Sequence, residues 1–396
     1  MRNKPLFITG IARGGTNLIG RLLDAHPEIT IAIDPYFPLF RSLRNAIIFS
    51  RIQNTPSSTF KANLPFQDYY FSNERLQWMN AIQASQLHLA YNRSEDCQLH
   101  EMLVNRTHFE CPDLIPYLRY LSGDTYQDLF DGGLKAIIEA RDARTSQWIG
   151  LKEVWIIEFF TILARAYPEA KFIIIIRDPR AVAASILGFR NIDPSQVAHT
   201  LSFLRHWRKS VAFAWYYQTQ SAIADRFYVT TYEQLVKTPE KTARDLCDFL
   251  NLDYDRRILD TERYFDFARG KVWQGNSTFV EKIAGIDSEG AERWRNKLDP
   301  IVTRVVEFIC GAEMKKLGYN LEVLGEDSWP DSSILEYFIS NNFQECSWRS
   351  DFGDLQQDYG FELFRRSLLD LPEVPQDRSL IRRSFLFEAV YRKLRE

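Results

Sequence analysis

Gly10 and Gly15 bracket the loop of FITGIARGGTN (residues 7–17) at the spacing G-x-x-x-x-G, which in nucleotide-triphosphate enzymes runs on into Lys-Ser/Thr. Here Thr16 stands where that lysine belongs, and Asn17 where the magnesium-binding hydroxyl belongs. The backbone part of an anion site is retained while both groups specialised for a magnesium-bound triphosphate are gone. The amides of Gly14, Gly15, Thr16 and Asn17, at the opening of a helix, are expected to point at an anion. Arg13 adds one positive charge beside them. A tight strand-to-helix turn without a ligand is the alternative for a glycine pair taken alone.

A second stretch, KFIIIIRDPRAVAAS (residues 171–185), strengthens the ligand reading. Arg177 follows an apolar run that predicts a central strand, and open α/β sheets bind ligands at the carboxyl ends of their strands. Ser185 lies on the helix that follows, its side chain leaning back toward the helix N-terminus. An arginine and a hydroxyl so placed could grip one phosphate; a salt bridge from Arg177 to Asp178 or Glu153 is the competing use. Two anion sites on neighbouring strand ends describe a ligand with two separated acidic groups.

These two stretches resemble the cofactor-binding signatures of sulfotransferases that use 3′-phosphoadenosine 5′-phosphosulfate (PAPS). ITGIARGGTNLIGRLLDAHPEI is similar to the 5′-phosphosulfate loop, as found in the protein-tyrosine, heparan-type and bacterial members, and FIIIIRDPRAVAAS to the 3′-phosphate site. YVTTYEQLVKTPEKTARDLCDFLNLDYD (228–255) and WQGNSTFVEKIAGIDSEGAERWRNKL (273–298) resemble C-terminal segments of the family, so the likeness covers residues 4–34 and 148–320. It implies that Arg13, Gly14, Gly15, Thr16 and Asn17 hold the 5′-phosphosulfate, that Arg177 and Ser185 hold the 3′-phosphate, and that Tyr232 lies near the adenine. A metal-free sulfuryl transfer makes the missing lysine and magnesium hydroxyl expected.

Sulfuryl transfer needs a base on the acceptor proton, stabilisation of the leaving oxygen and in-line placement. Cytosolic members carry K-x-H, but this chain reads Lys152-Glu153-Val154, so that histidine is absent. Protein-tyrosine and heparan-type members place a carboxylate shortly after the His-Pro that ends the first helix. Asp34 occupies that place and becomes the candidate base, with a turn cap before Pro35 as the alternative. Lys152 matches the family lysine on the bridging oxygen, with a pair to Glu153 as its alternative. Arg13 is the further catalytic candidate in the loop. Ser277 in GNST resembles a serine that contacts the sulfate end, with Asn276 helping.

The positioning elements are legible as periodicity. Leu6–Thr9, Ile29–Ile33, Trp148–Leu151, Lys171–Ile176 and Phe227–Thr231 predict strands; Thr16–Ala25, Trp155–Ala166 and Pro239–Leu250 predict helices. Asp178 suits a helix N-cap with Pro179 at N1. Alternating strands and helices predict an α/β fold around a central parallel sheet, which the resemblance makes a P-loop-like three-layer fold. A sulfotransferase domain is expected over 1–320, carrying an aromatic-rich helical insertion at 36–146 on the acceptor side, followed by a helical C-terminal extension at 321–396.

At 396 residues, with 45% hydrophobic and 26% charged side chains, the chain reads as an ordinary globular protein. A net charge of −3 gives no support for broad nucleic-acid or membrane binding. Five scattered cysteines and an N-terminus that enters an apolar strand at once predict a cytoplasmic protein with no signal peptide. Cys97, His100, His108 and Cys111 form C-x2-H-x7-H-x2-C, but on one helix the two pairs sit about 16 Å apart, too far for one zinc; a break near Asn105–Thr107 would alter that. No metal is expected. The acceptor reads as a small-molecule hydroxyl or amine, including a specialised natural product; a carbohydrate or peptide tyrosine is the alternative. A P-loop kinase or a non-catalytic nucleotide-binding protein is the alternative of a different class.

Overall fold

The computed structural model describes residues 3–51, 60–64, 67–190, 198–275, 286–323, 334, 336 and 355–396. The chain forms two compact units, one made of 1–56, 80–176 and 221–288, the other of 57–79, 177–220 and 289–396. In chain order the elements that matter here are β1 (Lys4–Gly10), α1 (Thr16–Asp24), β2 (Ile29–Ile33), α2 (Phe37–Arg51), α3 (Asn73–Ala84), α4 (Asp96–Thr107), α5 (Tyr126–Ala140), β3 (Trp148–Lys152), α6 (Phe160–Ala166) and β4 (Lys171–Ile176). They continue with α7 (Pro179–Arg190), α8 (Ala198–Gln218), β5 (Phe227–Thr231), α9 (Tyr232–Lys237), α10 (Pro239–Leu250), α11 (Pro300–Lys316), α12 (Leu355–Asp370), α13 (Arg378–Phe385) and α14 (Glu388–Arg395).

The first unit holds the whole five-stranded sheet, in the order β2-β3-β1-β4-β5, every pair parallel. Its strands are near-continuous apolar runs because parallel sheets are covered on both faces; β4 is KFIIII with all but Lys171 buried. The connection from β1 to β2 runs outward one way and those into β3 and β4 run the other way. Right-handed crossovers therefore put α1 on one face and α5 and α6 on the opposite one, giving three layers. Helix α1 buries Leu18, Ile19, Leu22 and Leu23, the apolar stripe legible in the sequence.

Edge strand β2 is closed by side chains rather than by another strand, which removes a free edge. The Ile31 amide donates to Asp24 at 2.7 Å and its carbonyl accepts from Arg141 Nη1 at 2.7 Å. Ile33 bonds Cys111 Sγ through both its amide (3.3 Å) and its carbonyl (3.1 Å). Arg141 also binds Asp113 at 3.0 Å. Asp24 of α1 and Cys111 and Arg141 of the helical insertion thus finish the sheet.

One helix is shorter than its sequence pattern. Trp155 takes a positive φ of 62°, so the segment expected to be helical from Trp155 begins as a 3-10 turn at Ile157–Phe159 and becomes α-helical only at Phe160.

The second unit is helical. Asp178 caps α7 as its sequence suggests, accepting from the Arg180 amide at 2.8 Å. The C-terminal helices pack within this unit: Phe387 stacks on Tyr216 with ring centres 4.0 Å apart, and Glu362 of α12 pairs with Arg205 (2.9 Å) and Arg208 (2.5 Å) of α8. All three charged side chains are buried, so their mutual pairing is a condition of burial. The basic residues at the chain's end sit on an amphipathic helix whose Val390 and Tyr391 are buried.

Candidate active site

The loop after β1 is built by two left-handed residues, Arg13 (φ 67°) and Gly15 (φ 90°). Gly15 is the N-cap of α1, and its carbonyl accepts the first helical bond from the Ile19 amide at 3.2 Å. The amides of Gly15, Thr16 and Asn17 open the helix and have no partner within it. The Gly14 amide differs from the sequence expectation: it donates to Ile11 O at 2.9 Å and closes the turn instead of facing a ligand. A Cβ on Gly15 would lie 2.4 Å from Cδ2 of Tyr232, so that ring packs directly on the loop. Tyr232 is fixed there as the first residue of α9, whose N-terminus has a capping box between Thr231 and Gln234.

Strand order places the other candidates beside this loop. β3 lies between β2 and β1, so Lys152 at its end stands between Asp34, just past β2, and the loop that leaves β1. Gly20 of α1 makes room: a Cβ there would be 2.7 Å from Ile33 Cδ1 and 3.4 Å from Lys152 Cβ. Lys152 is fully buried, and its Nζ donates to Asp34 Oδ2 at 2.5 Å. The Asp34 amide donates to Lys152 O at 2.7 Å. Asp34 itself is in the left-handed region at φ 50°, an unfavourable conformation found disproportionately at functional sites. Lys152 therefore pairs with Asp34, not with Glu153.

Two further groups complete the cluster, and neither was singled out for chemistry from sequence. Arg106, in the last turn of α4, donates through Nε to Asp34 O at 3.1 Å and brings Nη2 to 3.5 Å from Asp34 Oδ1. Glu153 is fully buried; its Oε1 accepts from the Tyr36 amide at 2.5 Å, and its Oε2 has no hydrogen-bond partner. Burial opposes ionisation of Asp34, but the charges of Lys152 and Arg106 outweigh it and hold the carboxyl below its ordinary range. Glu153 goes the other way: burial first, then the Asp34 charge, push it up to about 8. The neighbouring carboxyls are thus shifted in opposite directions, Asp34 down by its cations and Glu153 up by burial. The insertion that supplies Arg106 has no motif, so the only sequence signal would have been a basic residue near a helix end.

Beyond Arg106 the charges alternate. Glu110 lies 3.6 Å from Arg21 Nη2, and Arg21 also donates to Phe265 O and lies 5.4 Å from the Trp273 ring. Trp273 and Gly275 bring the described chain toward Asn276 and Ser277, which themselves lie outside the described residues. The Cys97–Cys111 pattern is not gathered into one site. Helix α4 does end at Thr107, but Cys111 is buried against β2 while Cys97 is exposed.

Arg177 and Ser185 belong to the second unit. The Arg177 Nη2 donates to Gly290 O at 2.6 Å and its carbonyl accepts from Trp207 Nε1 at 2.7 Å, while Ser185 is buried on α7. Asp178 pairs with Arg180 at 2.7 Å, and Arg180 in turn binds Glu307 at 2.8 Å.

Residues 5–256 match the family described as "Sulfotransferase family". The chain belongs to the sulfotransferase family. Similarity extends to protein-tyrosine sulfotransferase 1 of Danio rerio, 26% identical over 198 residues, 49% of this chain and 55% of that protein. It extends also to protein-tyrosine sulfotransferase A of Caenorhabditis elegans, 21% identical over 323 residues, 81% of this chain and 68% of that protein. The chain thus spans about half the length of the zebrafish relative, and the match to the Drosophila melanogaster protein-tyrosine sulfotransferase covers 34% of that protein. Among solved structures, the sulfotransferase domain from the Synechococcus PCC 7002 olefin synthase aligns with a TM-score of 0.46 at 19% identity, covering 81% of this chain and 96% of that one. In this member of the family Thr16 follows the Gly10–Gly15 loop where a Walker loop has lysine, and Val154 stands where K-x-H has its histidine.

Proposed function

We propose that this chain transfers a sulfuryl group from PAPS to a hydroxyl or amine of a small-molecule acceptor, including a specialised natural product, without a metal ion and in the cytoplasm. The observation that carries the reading is the place of Lys152, at one sheet edge between the helix-opening amides and a charged Asp34. The residues present fit the donor: α1 offers opening amides with no partner inside the helix, next in sequence to Arg13, and the loop is shaped by a Tyr232 ring that only glycine at position 15 admits. Bound there, PAPS supplies the sulfuryl group and leaves as 3′-phosphoadenosine 5′-phosphate (PAP).

In this reading the amides of Gly15, Thr16 and Asn17, with Arg13, hold the 5′ end, and Arg177 and Ser185 hold the 3′-phosphate. Asn276 and Ser277 assist at the sulfate end. Asp34 takes the acceptor proton as the acceptor's oxygen or nitrogen forms its bond to sulfur. Lys152 donates to the oxygen on which the electron pair of the breaking S–O bond remains. An ammonium with three donors suits a developing oxyanion in a buried site. The aromatic insertion, with Tyr36 buried against Glu153 and Gly133, forms part of the acceptor side.

The protein-tyrosine sulfotransferase relatives favour a second reading, in which the acceptor is a peptide tyrosine. Screening small hydroxyl and amine compounds, tyrosine peptides and sugars with labelled PAPS separates the two. Calorimetric titration with PAP, set against ATP with magnesium, tests the donor. Tight PAP binding unaffected by chelator supports the proposal, whereas preference for ATP with magnesium would identify a kinase.

A further inference from the structure

Lys152 is asked to serve two anions. Paired with Asp34 it neutralises the base, and directed at the leaving oxygen it withdraws from that base. Asp34 Oδ1 has no hydrogen-bond partner, and apart from Lys152 the carboxylate is met by the Val154 main-chain amide, which brings no full charge. The cation beside that oxygen is Arg106, at 3.5 Å, and its Nε already anchors the Asp34 carbonyl at 3.1 Å. One guanidinium thus grips the main chain of Asp34 and faces its side chain, a two-point hold suited to a planar fork and beyond a lysine ammonium in the same pose. Arg106 is only part-buried, its side chain 31% exposed, so it is placed at the open side of the cluster while Lys152 occupies the closed side.

We propose that Arg106 is the positioning residue of this site: it holds Asp34 charged and oriented toward the acceptor while Lys152 turns to the leaving oxygen. The inference rests on Asp34 being the base. The groups that face Asp34 are Lys152 from β3, Glu153 just after β3, Arg106 from α4, and Glu110 just after α4. The Glu153 carboxyl is raised to about 8, and the Glu110 carboxyl is itself raised, chiefly by burial and then by the Asp34 charge. In the acid range the two cations therefore dominate, and losing one of them lets Asp34 protonate at higher pH. The helical insertion then does more than shape the acceptor pocket, because its α4 regulates the base.

The test compares Arg106→Lys, Arg106→Gln and Arg106→Ala with the parent. Turnover is followed from about pH 4.5 to 9, and PAP affinity is followed separately. Arg106→Gln and Arg106→Ala should lower turnover by roughly tenfold to a hundredfold and move the acid limb up by about one pH unit, with PAP affinity unchanged. Arg106→Lys should leave the acid limb near its parental place, because the charge remains, while turnover recovers only in part. A second readout needs no turnover: the Tm change caused by Asp34→Asn should depend on pH over a higher range in the Arg106→Gln background than in the parent. Loss of activity equal at every pH, with the Asp34→Asn effect unshifted, would overturn the role of Arg106. Unchanged turnover in Asp34→Asn itself would instead overturn the assignment of the base.

Discussion

Lys152 and Asp34 hold each other twice, the Lys152 ammonium on the Asp34 carboxylate at 2.5 Å and the Asp34 amide on the Lys152 carbonyl at 2.7 Å. The pair is buried, with side-chain exposures of 1% and 10%. Removing one partner leaves the other charge without its main compensation. Lys152→Met should destabilise the fold by about 3 kcal/mol near neutral pH, the range seen when a buried pair loses one member. The sign follows from Asp34: without Lys152 its carboxyl rises, so the loss shrinks as pH falls and Asp34 takes up a proton. Urea unfolding at pH 5 and 7 checks this, and Asp34→Asn/Lys152→Met should be more stable than Lys152→Met alone.

Asp34→Asn keeps the shape and removes the proton acceptor. Turnover should drop by roughly 10²–10⁴, the contribution of a general base, while PAP affinity stays within a few-fold. Single-turnover sulfuryl transfer with saturating donor is the measurement.

Gly15→Ala meets two costs at once. The position has φ 90°, and the new Cβ would sit 2.4 Å from the Tyr232 ring. The left-handed conformation alone costs an L-residue about 1–2 kcal/mol; a loop that relaxes out of it in the free protein must regain it on binding, which lowers PAP affinity on the order of tenfold. Adding Tyr232→Ala should relieve the clash and leave the backbone cost, so the double variant binds PAP more weakly than Tyr232→Ala but folds better than Gly15→Ala.

Glu153 gives a pH signature of opposite sign. Its carboxyl is raised to about 8 in the fold, above its value in the unfolded chain. Between roughly pH 4.5 and 8 the folded state therefore binds more protons than the unfolded one, and stability falls as pH rises. Glu153→Gln mimics the neutral acid and removes that slope. Its Tm should approach or exceed the parent's by a margin that widens from pH 5 to 8; a constant margin would show that Glu153 is ionised throughout.

Arg177→Ala addresses the other end of the donor. It should weaken PAP more than the analogue lacking the 3′-phosphate, by about tenfold if a charged hydrogen bond is lost. Equal weakening of both would place the arginine's work in its bond to the Gly290 carbonyl rather than on a phosphate.

Local chemistry made much of this protein legible from its sequence. Glycines at 10 and 15 with Thr16 beyond them point to a strand-to-helix turn; the apolar run between Lys171 and Arg177 reads as a covered strand; Asp178-Pro179 starts a helix because an Asp side chain satisfies opening amides and proline gives none up. Each of these depends on neighbours a few residues away. Trp155, whose positive φ delays α6, shows where such reading fails, since nothing in its own residue type announces that conformation.

Tertiary structure decided what these pieces do together. Parallel pairing let β3 enter between β2 and β1, and only that order sets Lys152 against a carboxylate 118 residues earlier and Arg106 against the same residue from 72 residues away. It also turned Cys111 onto the β2 edge, away from any shared site with Cys97. The opposite shifts of the Asp34 and Glu153 carboxyls come from the same source. Charge–charge energies and desolvation depend on distance through a low-dielectric interior, and a linear sequence fixes neither the distance nor the interior.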